Sequence, residues 1–144
     1  MSALKLQGTR HDAVAALLVC SSIILFAFLL HPNPQGYGTH RQLLLPPCFF
    51  RLMTRLPCPF CGMTTGFTWM ARGHVGQAAR CNLMAPLGFV ATCLFALLGL
   101  YGVVTGRGWL PRVFSDPGFS RLLLIVIGVS WLANLTLALG LWHV

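Results

Sequence analysis

Three uncharged apolar runs, Ala13 to Leu30, Leu83 to Thr105 and Leu122 to Trp142, constrain the fold more than any other feature of the chain. Each is about as long as the roughly 20 residues an α-helix needs to cross a bilayer. A helix is also one of the few ways a backbone can satisfy its own polar groups in lipid. The rest of the composition agrees, with 56% hydrophobic and 8% charged residues and a mean hydropathy of +0.76. A soluble domain carries about a quarter charged residues. The expected fold is therefore an all-α integral membrane protein, a single membrane domain over residues 1–144.

The first run follows Lys5 and Arg10 and so has the outline of a signal peptide. Its apolar part is too long for one, and His31-Pro32-Asn33-Pro34 follows it without a small-residue cleavage pattern. An uncleaved transmembrane helix is the better reading. In the second run Pro86 lies in the first turn, where it does little harm. Gly99, Gly102 and Gly106 there offer a small-residue face for close helix contact. Trp109 and Trp142 sit near span ends, where aromatic belts form.

The formal net charge is +8, from ten Lys and Arg against Asp12 and Asp116 alone. A basic chain can bind nucleic acid, but that takes a basic patch on a soluble fold. Here the positive residues flank apolar segments, where anionic head groups attract them. The expected partner is the lipid bilayer, with room for other membrane proteins and no nucleic acid. No ionisable residue falls inside a span, so an ion or proton path has no support. The positive residues divide evenly between the two sides. Arg41, Arg51, Arg55 and Arg72 lie far from span ends, where they count least. That favours a cytoplasmic N-terminus and an exoplasmic connection between the first two spans, in a bacterial cytoplasmic membrane.

That connection holds the chemistry. Residues 31–47 read as a loop, rich in Pro and Gly and closing on Pro46-Pro47. Cys48 to Leu56 is short and amphipathic, with Arg51 and Arg55 one helical turn apart and expected in the head-group layer. Then comes Pro57-Cys58-Pro59-Phe60-Cys61-Gly62-Met63-Thr64-Thr65. Proline suits the first helical position. The spacing therefore predicts a helix over about 59–72, with Cys58 as N-cap and Cys61 in the first turn. On a helical period Cys61, Thr64, Thr65, Thr68 and Arg72 share one polar face. A second short helix at His74 to Arg80 would complete an interfacial or re-entrant helical hairpin.

Cys20 and Cys93 fall inside spans and read as small buried hydrophobes. Cys48, Cys58, Cys61 and Cys81 remain. On residue types alone a structural or accessory membrane role leads. In that reading the cysteines are packed, the threonines bond back to helical carbonyls, Arg72 snorkels to the interface, and Asn134 links helices. The alternative is a thiol–disulfide oxidoreductase or redox sensor, with Cys58 as the attacking thiolate, Cys61 resolving and Cys48–Cys81 as a second pair. The second alternative is a metal site built from Cys48, Cys58, Cys61 and Cys81, to which His40 or His74 could contribute. The identity of any cofactor stays open, although Gly62 after the second cysteine argues against covalent haem.

The run Cys58-Pro59-Phe60-Cys61-Gly62-Met63-Thr64, followed by a short helix and Asn82 before an apolar span, resembles an uncharacterised family of small bacterial membrane proteins. That family, a domain of unknown function, carries C-P-x-C-G-x-T-R and a downstream N-P. The resemblance covers about Pro57 to Leu100 and implies the membrane fold and the motif, not a reaction. Thr65 stands in place of the arginine and Leu83 in place of the second proline.

Overall fold

The computed structural model describes residues 10–106 and 116–141, with the backbone alone at 137–139 and 141. Among the described residues six helices follow in order: α1 (Arg10–Leu29), α2 (Phe49–Thr54), α3 (Met63–Ala71), α4 (Val75–Cys81), α5 (Met84–Thr105) and α6 (Pro117–Leu141). A short 3-10 turn at Thr39–Leu43 lies between α1 and α2. Helices α1 and α5 and the stretch Pro117–Thr136 of α6 are long and apolar enough to cross a membrane. The all-α, three-span expectation holds. Trp109 and Trp142 lie outside the described residues.

Helix α6 begins earlier than its uncharged run because a cap starts it. The Asp116 carboxylate accepts a hydrogen bond from the Gly118 N–H at 3.0 Å. Pro117 fills the first helical position, where its fixed φ is already suitable.

The interior is unlike that of a soluble protein. Its fully buried residues include Ala78, Ala85, Thr39, Thr65, Thr68 and Asn82, while Leu18, Phe28, Leu97 and Ile125 face outward. Small residues let backbones approach, and lipid solvates the large side chains. The antiparallel pair α1 and α5 shows this at Gly99, where a Cβ would lie 2.9 Å from the Leu17 nitrogen. Gly102 is buried on the same helix, whereas Gly106 is the left-handed C-cap of α5, where a Cβ would meet nothing within 4 Å.

Helices α3 and α4 form the expected hairpin between the first two spans. Gly66 of α3 meets α5 so closely that a Cβ would collide with the Ala85 Cβ and lie 3.2 Å from the Ala78 carbonyl. Arg72, the C-cap of α3, ties the hairpin to α1. Its guanidinium donates to the Leu30 carbonyl at 2.8 Å and the Thr68 carbonyl at 2.9 Å. Longer contacts of 3.4 Å reach Ala27 and Phe28. The last carbonyls of a helix lack intrahelical donors and carry partial negative charge, so a guanidinium suits them. The snorkelling expected of Arg72 is replaced by this cap.

Gly66→Val should lower the stability of the detergent-solubilised protein by about 1–3 kcal/mol, because neither Ala85 nor the Ala78 carbonyl can retreat. Gly76→Ala, which points into open space, should be neutral or stabilise by up to about 1 kcal/mol. Thermal unfolding followed by tryptophan fluorescence compares the two.

Candidate functional site

The cysteine motif precedes a helix rather than starting one. Cys58 to Cys61 is a turn, closed by the Cys61 N–H donating to the Cys58 carbonyl at 3.0 Å, with Pro59 at its second position. Gly62 then adopts φ +84 and serves as the N-cap of α3. That left-handed residue is what the sequence reading missed, since it stops helical φ/ψ from running back to Pro59. A side chain there is also excluded by space, because a Cβ would strike the Cys81 carbonyl.

Asn82 holds this turn in place. Its amide is fully buried, and Nδ2 donates to the Pro59 and Cys61 carbonyls, both at 3.0 Å. Oδ1 accepts from the Met84 N–H at 2.8 Å, capping α5, and from Asn134 Nδ2 at 3.2 Å. The amide's four hydrogen-bonding positions are thus all used. Asn134 Oδ1 accepts from the Leu83 N–H at 3.2 Å, so the expected inter-helical role of Asn134 is realised. Trp131, one turn earlier on α6, donates its indole N–H to the Pro57 carbonyl at 3.0 Å.

The turn brings three thiols together. The sulfurs of Cys48, Cys58 and Cys61 all lie within 4.8 Å of one another, and a thiol–thiol hydrogen bond of 3.0 Å joins Cys58 and Cys61. Cys48 arrives from a different segment, as the residue before α2. Cys81 is not part of this cluster, so the expected Cys48–Cys81 pair gives way to a Cys48–Cys58–Cys61 triad. Cys81 instead lies against Gly36.

The triad opens into a cavity of about 340 Å³ whose wall also includes Tyr37, His40, Arg41 and Arg51. Arg51 does not extend to the head groups as its spacing suggested. Its guanidinium carbon sits 3.5 Å from the centre of the Tyr37 ring. The loop carrying Tyr37 is fixed to α3 by a 2.8 Å hydrogen bond between the buried hydroxyls of Thr39 and Thr65. The expected polar face of α3 is therefore divided. Thr64 and Thr65 line the cavity, Thr68 turns inward to the Thr65 carbonyl at 2.7 Å, and Arg72 faces α1. His74 packs edge-on against Trp69, with ring centres 5.4 Å apart.

The thiols are not equivalent. The Cys48 pKa is lowered below the ordinary cysteine value, first by the Arg51 backbone N–H, which faces the sulfur without closing a full capping bond. Partial burial opposes this, and the Cys58 and Cys61 thiols add to it. Cys61 is pushed up to about 12, first by burial and then by its bond to Cys58. Burial raises Cys81 as well. Chemically, the cluster offers one easily ionised thiol beside one held protonated.

Tyr37, Arg41 and Arg51 were not legible as site residues, because no local spacing joins a loop tyrosine to an arginine on α2. Asn82 had a usable signal, a lone amide placed directly before an apolar span.

The order of ionisation has a direct consequence for alkylation. Thiolate forms as pH rises through the pKa, so Cys48 should react with iodoacetamide at lower pH than an unstructured cysteine. Cys61 should stay unreactive until far more alkaline conditions. The groups acting on Cys48 are the Arg51 and Phe50 backbone N–H groups and the Cys58 and Cys61 thiols, and His40 and Arg41 also line the cavity. Peptide mass spectrometry of alkylated protein over a pH series reads both profiles.

No curated protein and no solved structure matches the chain. Residues 48–98, which begin at Cys48 and contain Cys58, Cys61 and Asn82, match the model of a family described as "Protein of unknown function (DUF2752)", a domain of unknown function.

Proposed function

We propose that this membrane protein is a thiol–disulfide oxidoreductase whose centre is Cys48, Cys58 and Cys61. The observation that carries the reading is the convergence of three sulfurs from two separate segments within 4.8 Å, at the wall of an open cavity. Cysteines that served only as small packed residues would have no need to converge there.

The chemistry follows from the unequal thiols. The Cys48 thiolate attacks one sulfur of a substrate disulfide, whose S–S bond breaks, and the departing thiolate takes a proton from water. Cys58 then attacks the Cys48 sulfur of the mixed disulfide and releases the second substrate thiol, its own proton going with it. Cys61 gives its proton to the hydroxide left by the first step and attacks Cys58, giving the Cys58–Cys61 disulfide and returning Cys48 as the thiolate. A sulfur of lowered pKa is the better leaving group, which favours this last step. Two protein thiols are oxidised and one substrate disulfide becomes two thiols. The reading places the thiol face on the exoplasmic side of a bacterial cytoplasmic membrane, where disulfides persist.

The test is disulfide mapping of the protein in membranes after exposure to a small disulfide. Cys58–Cys61 should form, Cys48→Ser should slow its formation by about tenfold or more, and Cys81→Ser should not. Serine variants present at normal abundance are part of the expectation. Loss of the protein itself in each variant would support a structural component, and thiols that react no faster than those of an unfolded peptide would sink the exchange reading.

The same triad favours a second reading, since three thiolates at this spacing suit a soft ion such as Cu(I). About one equivalent of metal in the purified protein, lost in Cys48→Ser, would establish that reading. The two arginines of the cavity wall oppose the entry of a cation and weigh toward exchange.

A further inference from the structure

The cavity beside the thiols is positive and has no carboxylate side chain to balance it. Arg41 and Arg51 both line it, and among the described residues no hydrogen bond engages either guanidinium. The chain has only two carboxyl side chains. Asp12 sits in the first turn of α1, and Asp116 begins α6. Each is roughly 20–25 Å of helix away from the end that meets the site. Tyr37 covers one face of the Arg51 guanidinium, which leaves the N–H groups in its plane available for a planar anion. A volume of about 340 Å³ suits a small molecule better than a folded chain.

Resting on the exchange reading, we propose that the cavity selects small disulfides bearing carboxylates, with Arg41 and Arg51 holding the carboxylates and presenting the S–S bond to Cys48. The bound disulfide is itself the oxidant. It accepts two electrons and two protons as Cys58 and Cys61 become a disulfide, and it leaves as two carboxylate thiols.

The test uses the full chain in nanodiscs of zwitterionic lipid and three disulfides: dithiodipropionate (anionic), bis(hydroxyethyl) disulfide (neutral) and cystamine (cationic). The rate of Cys58–Cys61 disulfide formation with each is divided by that disulfide's rate with a free cysteine peptide. The anionic disulfide should exceed the neutral one by about tenfold, and the cationic one should fall below it. Arg41→Gln and Arg51→Gln should each bring the anionic-to-neutral ratio toward one, while Arg51→Lys, which keeps the charge, should retain part of it. Equal normalised rates, or a preference that survives both glutamine substitutions, would overturn the proposal. Absence of exchange with all three disulfides would instead refute the exchange reading. A short-chain phosphatidylglycerol that competes at the arginines more tightly than dithiodipropionate would assign the site to a lipid head group and equally overturn it.

Discussion

The buried amide of Asn82 is the contact on which the thiol centre depends. It joins three things that the chain presents separately: the carbonyls of the cysteine turn, the first turn of α5, and Asn134 on α6. An amide is suited to this place because it both donates and accepts, and here every position is filled. In an environment where water is scarce, an unfilled one would cost about 1–3 kcal/mol. The turn also lacks a regular hydrogen-bond ladder of its own. Its shape is held by Asn82 at the Pro59 and Cys61 carbonyls and by the Trp131 indole at the Pro57 carbonyl.

The fold class was legible because lipid imposes a simple rule on sequence. Long uncharged runs become helices, and α1, α5 and α6 obey it. The small residues of α5 were legible for the same reason, since Gly99 and Gly102 do face inward. The site was only half legible. The pairing of Cys58 with Cys61 is local and follows from spacing, but Cys48 joins them through tertiary structure that no period encodes. The polar stripe of α3 was correctly seen and wrongly aimed. In lipid, hydroxyls and guanidinium groups turn toward any available carbonyl, so Thr68 and Arg72 serve the backbone and not a substrate.

Polarity is distributed in this protein by that same demand. The buried threonines and asparagine are each satisfied by a named partner, and no buried side-chain polar atom among the described residues lacks one. Arg41 and Arg51 depart from that pattern. They line a cavity and lack carboxylate partners, beside thiols that differ in their readiness to ionise. A structural polar group is spent on the fold, whereas these two cations remain available to something that enters.

The cap that Arg72 places on α1 has a mechanical consequence. The hairpin is fastened to the end of a membrane-spanning helix, so its height above the hydrocarbon follows the tilt and depth of α1. Asn134 fastens the turn beside it to α6, a different helix. Bilayers of different thickness tilt their helices to different degrees. A change that moved α1 and α6 unequally would pull the hairpin and the turn against each other. Gly62, the single residue between the turn and α3, is where that difference would be taken up.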